Sequence, residues 1–461
     1  VRATLRSSRL RRILFAYTVN RLGSWIGLVA LSLAVFDRTH SALAVTGLLL
    51  AWQALPAFLV PALIARVEAS ARRSELSGLY FFETAATAAL AVLLWHFWLP
   101  AVLLLAMLDG TAALAANALL RSEVARVARV EAQSAPALDG DANPEEAGRE
   151  AERRANAALN VAFSISFVAG PAIGGLAVAG AGAPAALFID VGSFLICGAL
   201  LLDLHPHVSA AGGDSVRARV RAAWTHIVEA PALRALLLAE GIALIFIQSA
   251  GPIEVTYAKA TLHAGDRGYG LLVTAWGAGT VLASVVFARS VKRPLGAMLS
   301  VGILALGAAF VGFAVAPSLA VACAASLVGG IGNGLEWPSL ISLVQRMTPP
   351  ELHGRLMGAV ESLGAMCLAV GLPLGGALVA LSSARTAFLI VGLGAAATTI
   401  AFVRLAMAGV DAVVVEDSPA DRQPTTDDEP PELHGELISS EPPLNDSAPD
   451  AAPAGTAQPS L

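Results

Sequence analysis

Lysine is almost missing from this 461-residue chain, with only Lys259 and Lys292 present. Charge of any kind is scarce: Asp, Glu, Lys and Arg make 14% of the residues, against about 25% in a soluble chain. That argues against a water-soluble globular protein. The three cysteines, Cys197, Cys323 and Cys367, all sit in apolar runs, which points away from a disulfide framework and from metal-ligand spacing. The eight histidines show no H-E-x-x-H pair and no zinc spacing. No G-x-x-x-x-G-K-[ST] loop occurs, so the chain is not expected to use ATP. Gly277-Ala278-Gly279 and the run Gly329–Gly334 lie inside apolar stretches with no adjacent strand, which argues against a dinucleotide loop. The chain is not expected to be an enzyme, and no cofactor or metal is expected.

Hydrophobic residues make 56% of the chain and come in many blocks. A membrane-crossing helix needs roughly 20 mostly apolar residues. Twelve candidates fit, over 13–36, 41–64, 76–95, 99–120, 156–178, 184–204, 233–257, 268–289, 294–315, 318–343, 355–380 and 384–407. Their apolar residues run continuously rather than alternating, which excludes barrel strands. Five arginines (Arg2, Arg6, Arg9, Arg11, Arg12) precede the first block. The block is too long for a signal peptide, so it reads as a retained first helix.

Basic residues favour the cytoplasmic side of a membrane. With the N-terminus inside, 25 of the 30 bases fall on that side. Arg38, Lys259, Arg267 and Arg385 fall outside, and Arg21 lies within the first span. Missing or adding one helix would scramble this pattern. The expected fold is therefore all-α and polytopic, with twelve transmembrane helices and both termini cytoplasmic.

The expected organisation is an N-terminal six-helix bundle over 1–204, a cytoplasmic connection over 205–232, a C-terminal six-helix bundle over 233–407, and an acidic tail over 408–461. Arg121–Val130 reads as an amphipathic helical extension, Ala135–Glu146 as irregular, and Val216–Glu229 as an interfacial helix. From Val410 onward there are 12 acids and one base, Arg422. Such a segment cannot bury enough apolar surface to offset its ordering entropy, so disorder is expected there.

The two halves match at a nearly constant offset. Gly47 and Arg66 pair with Gly270 and Arg289; Gly170, Gly174 and Gly175 pair with Gly371, Gly375 and Gly376. Two parallel six-helix repeats are the architecture of one large transporter class.

On these features the chain resembles the major facilitator superfamily, and within it the bacterial exporters that include enterobactin and macrolide efflux proteins. The fifth span carries Gly170-Pro171-Ala172-Ile173-Gly174-Gly175, which is similar to the antiporter motif of drug exporters in the superfamily. Glycines allow close helix approach, and proline leaves a carbonyl without its N–H partner. The family's G-x-x-x-D-R-x-x-R-R gating loop corresponds to Arg66, Arg72 and Arg73 in one half and Arg289, Lys292 and Arg293 in the other; its aspartate is alanine in both copies. The resemblance implies that spans 1, 4, 7 and 10 line a central cavity.

Ionisable groups inside a membrane are costly and are functional candidates by default. Asn20 and Arg21 lie in span 1, Asp109 and Asn117 in span 4, Glu240 and Gln248 in span 7, and Asn333 and Glu336 in span 10. At a rise of about 1.5 Å per residue, Arg21 and Asp109 fall at similar depth, so they are expected to pair or to share a coupling role. Glu83, Asp190 and Glu361 on other spans are expected to pack or pair between helices.

The expected function is secondary active efflux of an amphiphilic small molecule such as a drug, siderophore or secondary metabolite. The coupling ion is expected to be a proton, because a carboxyl in a dry cavity favours its protonated form and can exchange that proton as access changes. A lipid or lysolipid transporter and a non-transporting membrane scaffold or sensor are the alternatives. The expected partners are the small-molecule substrate, the proton and the lipid bilayer, without nucleic acid. A monomer in the bacterial inner (plasma) membrane completes the expectation.

Overall fold

The structure is a computed structural model that describes residues 7–60, 63, 75–134, 144–202, 225–289, 294–348 and 352–398. The chain divides into a unit over Val1–Gly409 and a second over Val410–Leu461; the second unit, and with it most of the expected acidic tail, lies outside the described residues. Among the described residues of the first, twelve apolar helices account for nearly all: α1 (Ser8–Thr39), α2 (Ala42–Val60), α3 (Glu75–Leu93), α4 (Leu99–Ser134), α5 (Pro144–Ala181), α6 (Ala183–Leu200), α7 (Pro231–Thr261), α8 (Gly265–Arg289), α9 (Leu295–Val315), α10 (Leu319–Arg346), α11 (His353–Leu381) and α12 (Ala384–Thr398). Among the described residues, eleven of these are long and apolar enough to cross a membrane, and α12 is the shorter twelfth. The end where α1 begins is here termed inner, after the orientation expected from the basic residues.

Local chemistry sets the helix ends. Ser7 caps α1 by accepting from the Leu10 N–H at 3.1 Å, and Ser41 caps α2 by accepting from the Ala44 N–H at 3.3 Å. Such caps satisfy N–H groups that a helix start leaves free. At the far ends of α1 and α7, His40 and His263 both adopt φ 50°. They lie 223 residues apart, the offset that relates Gly47 to Gly270, so the repeat extends to this unusual left-handed backbone.

Several helices depart from the expected spans. α1 begins at Ser8 rather than near residue 13. α4 continues to Ser134, as the amphipathic extension implied. α5 begins at Pro144, so the last three residues of the stretch expected to be irregular are helical. Its first turn carries Glu145 and Glu146, which suit the positive end of a helix dipole. The Arg129–Glu152 ion pair joins these polar extensions, and Arg149–Glu145 and Arg154–Glu150 run along the surface of α5 itself. Of the expected interfacial helix, residues 225–229 are helical and 216–224 lie outside the described residues. α2 and α7 each contain a five-residue π-helical turn, at Leu50–Ala54 and Tyr257–Thr261, features common at functional sites.

The apolar core is divided in a way that positions the site. At the outer end one continuous cluster joins both bundles. It takes Val35 and Phe36 of α1, Leu48 of α2 and Val178 of α5 together with Ile253 and Tyr257 of α7, Tyr269 of α8, Phe310 and Phe313 of α9, and Phe388 of α12. At the inner end, besides a small cluster of Ala283, Met298 and Leu335 within the second bundle, there are two separate larger clusters among the described residues. One holds Leu14, Tyr17, Tyr80, Leu120, Leu159 and Phe194, all from α1–α6. The other holds Leu236, Leu299, Ile303, Leu340 and Val360, all from α7–α11. Many large apolar side chains on the periphery are exposed, such as Phe15, Leu104, Leu238 and Val301, as expected of helices whose surroundings are hydrocarbon.

Candidate functional site

The inner half of the first bundle holds a buried polar cluster. Arg21 of α1 lies over the Phe163 ring of α5, 5.3 Å from its centroid, and Phe163 stacks on Phe167. One turn below, Tyr17 accepts from the Arg121 guanidinium of α4 at 3.3 Å. Glu83 of α3 is fully buried, and among the described residues neither of its carboxyl oxygens has a hydrogen-bond partner. The same holds for Tyr80 Oη, Asn20 Oδ1 and Arg21 Nε. Glu83 lies within electrostatic reach of Arg21, Asp109 and Asp190.

Asp109 of α4 is not paired with Arg21. Its Oδ2 accepts from the Trp52 indole N–H at 3.0 Å and its Oδ1 from the Thr87 hydroxyl at 2.9 Å. Both partners come from α2 and α3, so the carboxyl points away from α1. The expected pairing of Asp109 with Arg21 is therefore not what the structure shows, because the direction of the side chain around its helix takes it to α2 and α3. Asn117, on the same helix, donates to its own backbone at Ala113 O, 2.8 Å away. Asp190 of α6 accepts from Ser193 at 3.1 Å and fills the space over Gly23 and Gly27 of α1, where any Cβ would fall within 2.5 Å of its oxygens.

In the second bundle, Glu240 of α7 and Glu336 of α10 are both buried and stand within hydrogen-bonding reach of each other. Two expected candidates on separate spans are thus brought together. Gln248 and Asn333 are half-buried on the same two helices, with the Gln248 Cβ packed against Gly371 of α11. Glu254, farther out on α7, is half-buried between buried Ile253 and Val255.

The glycine motif of α5 works by contact. A Cβ on Gly170 would meet Trp25, and one on Gly174 would meet Ile26 and Val29, all on α1. A Cβ on Gly175 would fall 2.8 Å from Asp266 O and 2.9 Å from Gly270 Cα, across the seam on α8. Pro171 cannot offer an N–H to Phe167 O, and that carbonyl lies against Gly277 of α8. The second copy repeats this plan: Gly371 and Gly375 press on α7, and Gly376 faces Thr46 of α2 across the other seam. A further pair follows the same symmetry. The Trp52 carbonyl presses on Gly110 of α4, and the Trp276 carbonyl presses on Gly330 of α10. Arg289 is exposed at the inner end of α8; Arg66, Arg72, Arg73, Lys292 and Arg293 lie outside the described residues.

Three of the four bases assigned to the outer side are engaged there. Arg38 donates to Leu94 O at the end of α3, and Arg385 to Ala314 O at the end of α9, each at 2.9 Å. Lys259 bridges Asp37 of α1 and Asp266 of α8, at 2.5 Å to each. The lysine therefore ties the two bundles together at the outer end.

Residues 236–444 match the family model described as Major Facilitator Superfamily. The chain is 26% identical over 261 residues to the multidrug efflux pump Tap of Mycolicibacterium fortuitum, covering 54% of this chain and 63% of the relative. It thus spans about three fifths of the length of the curated relatives it matches. Among solved structures, the nucleoside transporter NupG superposes with a TM-score of 0.67 at 13% identity, over 86% of this chain and 99% of that one. A bacterial homologue of the iron transporter ferroportin, in an inward-facing state, superposes with a TM-score of 0.64 at 16% identity, over 86% and 98%. The second bundle is thus similar to the Major Facilitator Superfamily, and the twelve-helix fold of the described residues is the fold of these solved transporters.

Proposed function

We propose that the protein is a secondary active exporter of amphiphilic small molecules, working by alternating access and driven by the proton gradient. The observation that carries this reading is the divided core. One apolar cluster joins the bundles at the outer end, while each bundle keeps its own cluster at the inner end. Bundles that share a core at one end and separate at the other are built to rock about a site between them. Bundle boundaries near 1–204 and 233–407 accord with this division. The similarity to multidrug efflux pumps supports outward transport, and the buried carboxyls on α4, α7 and α10 supply groups able to exchange a proton. The bacterial inner membrane, cytoplasmic termini and a monomer are part of the same reading.

The test is expression in a bacterial host stripped of its own efflux pumps, scored for survival and accumulation over a broad compound panel. The reading expects lower accumulation of several amphiphilic compounds, abolished by a protonophore. Unchanged accumulation of every compound, with normal protein in the membrane, contradicts it. Transfer of lipid or lysolipid in proteoliposomes, without any effect on soluble compounds, would move the substrate to lipids.

A further inference from the structure

Glu240 and Glu336 are exposed by only 3% and 1%. Their side chains meet between α7 and α10, above the inner core of the second bundle that holds Leu236, Leu237, Ile303 and Leu340. On each residue Oε1 is buried and finds no hydrogen-bond partner among the described residues. Gly302 of α9 closes one side; a Cβ there would fall 2.8 Å from Glu336 N. On the α11 side Cys367 donates its thiol to Gly241 O at 3.2 Å, next to Glu240. Glu240 in turn acts electrostatically on Cys367, and among the described residues no cation is paired with either carboxyl.

Two carboxylates cannot hydrogen-bond to each other. A bond between them needs one proton, and without it two like charges face each other in a dry site. The repeat sharpens the point. At the offset that relates His40 to His263, Glu240 corresponds to Tyr17 of α1. Tyr17 is bridged to α4 by Arg121, a donor that keeps its proton at every working pH. The first bundle thus joins its first and fourth helices through a permanent donor. The second joins the matching helices through a pair that needs an exchangeable one. Among the described residues α7 otherwise packs chiefly on α11.

We propose that Glu240 and Glu336 form a one-proton clasp: a binding site for a single shared proton that holds the inner halves of α7 and α10 together and lets them part when the proton leaves. Its role as the coupling site rests on the exporter reading; its existence as a clasp does not.

The experiment uses the full chain in lipid nanodiscs with no added compound. Infrared difference spectra between acidic and alkaline pH report the carboxylic-acid band. Spin labels replacing Leu238 and Arg346, both exposed, report the α7–α10 separation. In the wild type, a rise in pH should remove one carboxylic-acid component and lengthen the distance. Glutamine can donate an N–H to the remaining carboxylate without a titrating proton. Glu240→Gln and Glu336→Gln should therefore each lose that same component and keep the short distance at every pH. Loss of two different components in the two variants, or loss of none, overturns the clasp. Should a glutamine variant fail to fold, the wild-type distance decides, and a separation that ignores pH overturns the proposal. A wild type that titrates as described yet moves no compound would overturn the exporter reading and leave the clasp standing.

Discussion

The indole N–H of Trp52 donates to Oδ2 of Asp109 at 3.0 Å, across the contact where the Trp52 carbonyl presses on Gly110. Trp52 belongs to the π-helical turn of α2, so the carboxylate steadies an irregular stretch of backbone. At the matching place in the second bundle Gly329 stands where Asp109 would be, and the Trp276 ring covers it. One half secures its tryptophan by a hydrogen bond and the other by packing.

Asp109 should therefore behave as a positioning residue. Asp109→Asn can accept from Trp52 through its carbonyl oxygen and donate its amide N–H to the Thr87 hydroxyl, and should leave folded yield near wild type. Asp109→Ala leaves both donors unpaired in a buried site, a loss of about 1–3 kcal/mol. Melting temperature and monodisperse yield in detergent measure this. Exchanging the charges, as Arg21→Asp with Asp109→Arg, should not restore stability; recovery would reinstate the ion pair expected from the sequence.

The seam between α5 and α8 should be sensitive to a single methyl group. Gly175→Ala places a Cβ about 2.8 Å from the Asp266 carbonyl oxygen, so the outer ends must separate. Gly180 has open space around it, and Gly180→Ala serves as the control. Thiol labelling of a cysteine buried in the outer seam should speed up in Gly175→Ala and stay slow in Gly180→Ala. Equal labelling in both would mean that the glycine contact does not hold the seam.

Lys259 joins Asp37 and Asp266 while only 14% of its side chain is exposed. Exposed ion pairs contribute about 0.2–1 kcal/mol, and this more sheltered bridge belongs at the upper end of that range. Lys259→Gln should shift the protein toward outer opening, seen as faster labelling at the outer seam. The exchange Asp37→Lys with Lys259→Asp should bring the rate part of the way back. Because the bridge is charged, high salt should mimic Lys259→Gln in the wild type.

Much of this was legible in the residues. Twelve apolar runs gave twelve helices because hydrocarbon leaves the backbone no other partner than itself. The Gly170–Gly175 motif and its second copy lie on contacts that require missing side chains, and such contacts leave a mark in composition. Other features left no mark of that kind. Rise per residue placed Arg21 and Asp109 at one depth, but the direction of a side chain around its helix depends on how the helices turn toward one another. Glu83 and Asp190 were expected to pack or pair between helices, and the structure sets both within reach of Arg21 of α1, a partner that spacing along the chain could not name. The π-helical turns of α2 and α7 arise from packing and have no local sequence signal.

The divided core carries the whole account, and distances between spin labels test it most directly. One pair replaces His96 and Ser382 at the outer ends of the two bundles; the other replaces Arg11 and Arg346 at the inner ends, all four exposed. Recorded in lipid nanodiscs at acidic and alkaline pH, and with a transported compound from the panel, the two distances should change in opposite directions, one end closing as the other opens. Two distances that stay fixed under every condition, or that lengthen together, would contradict alternating access in this protein.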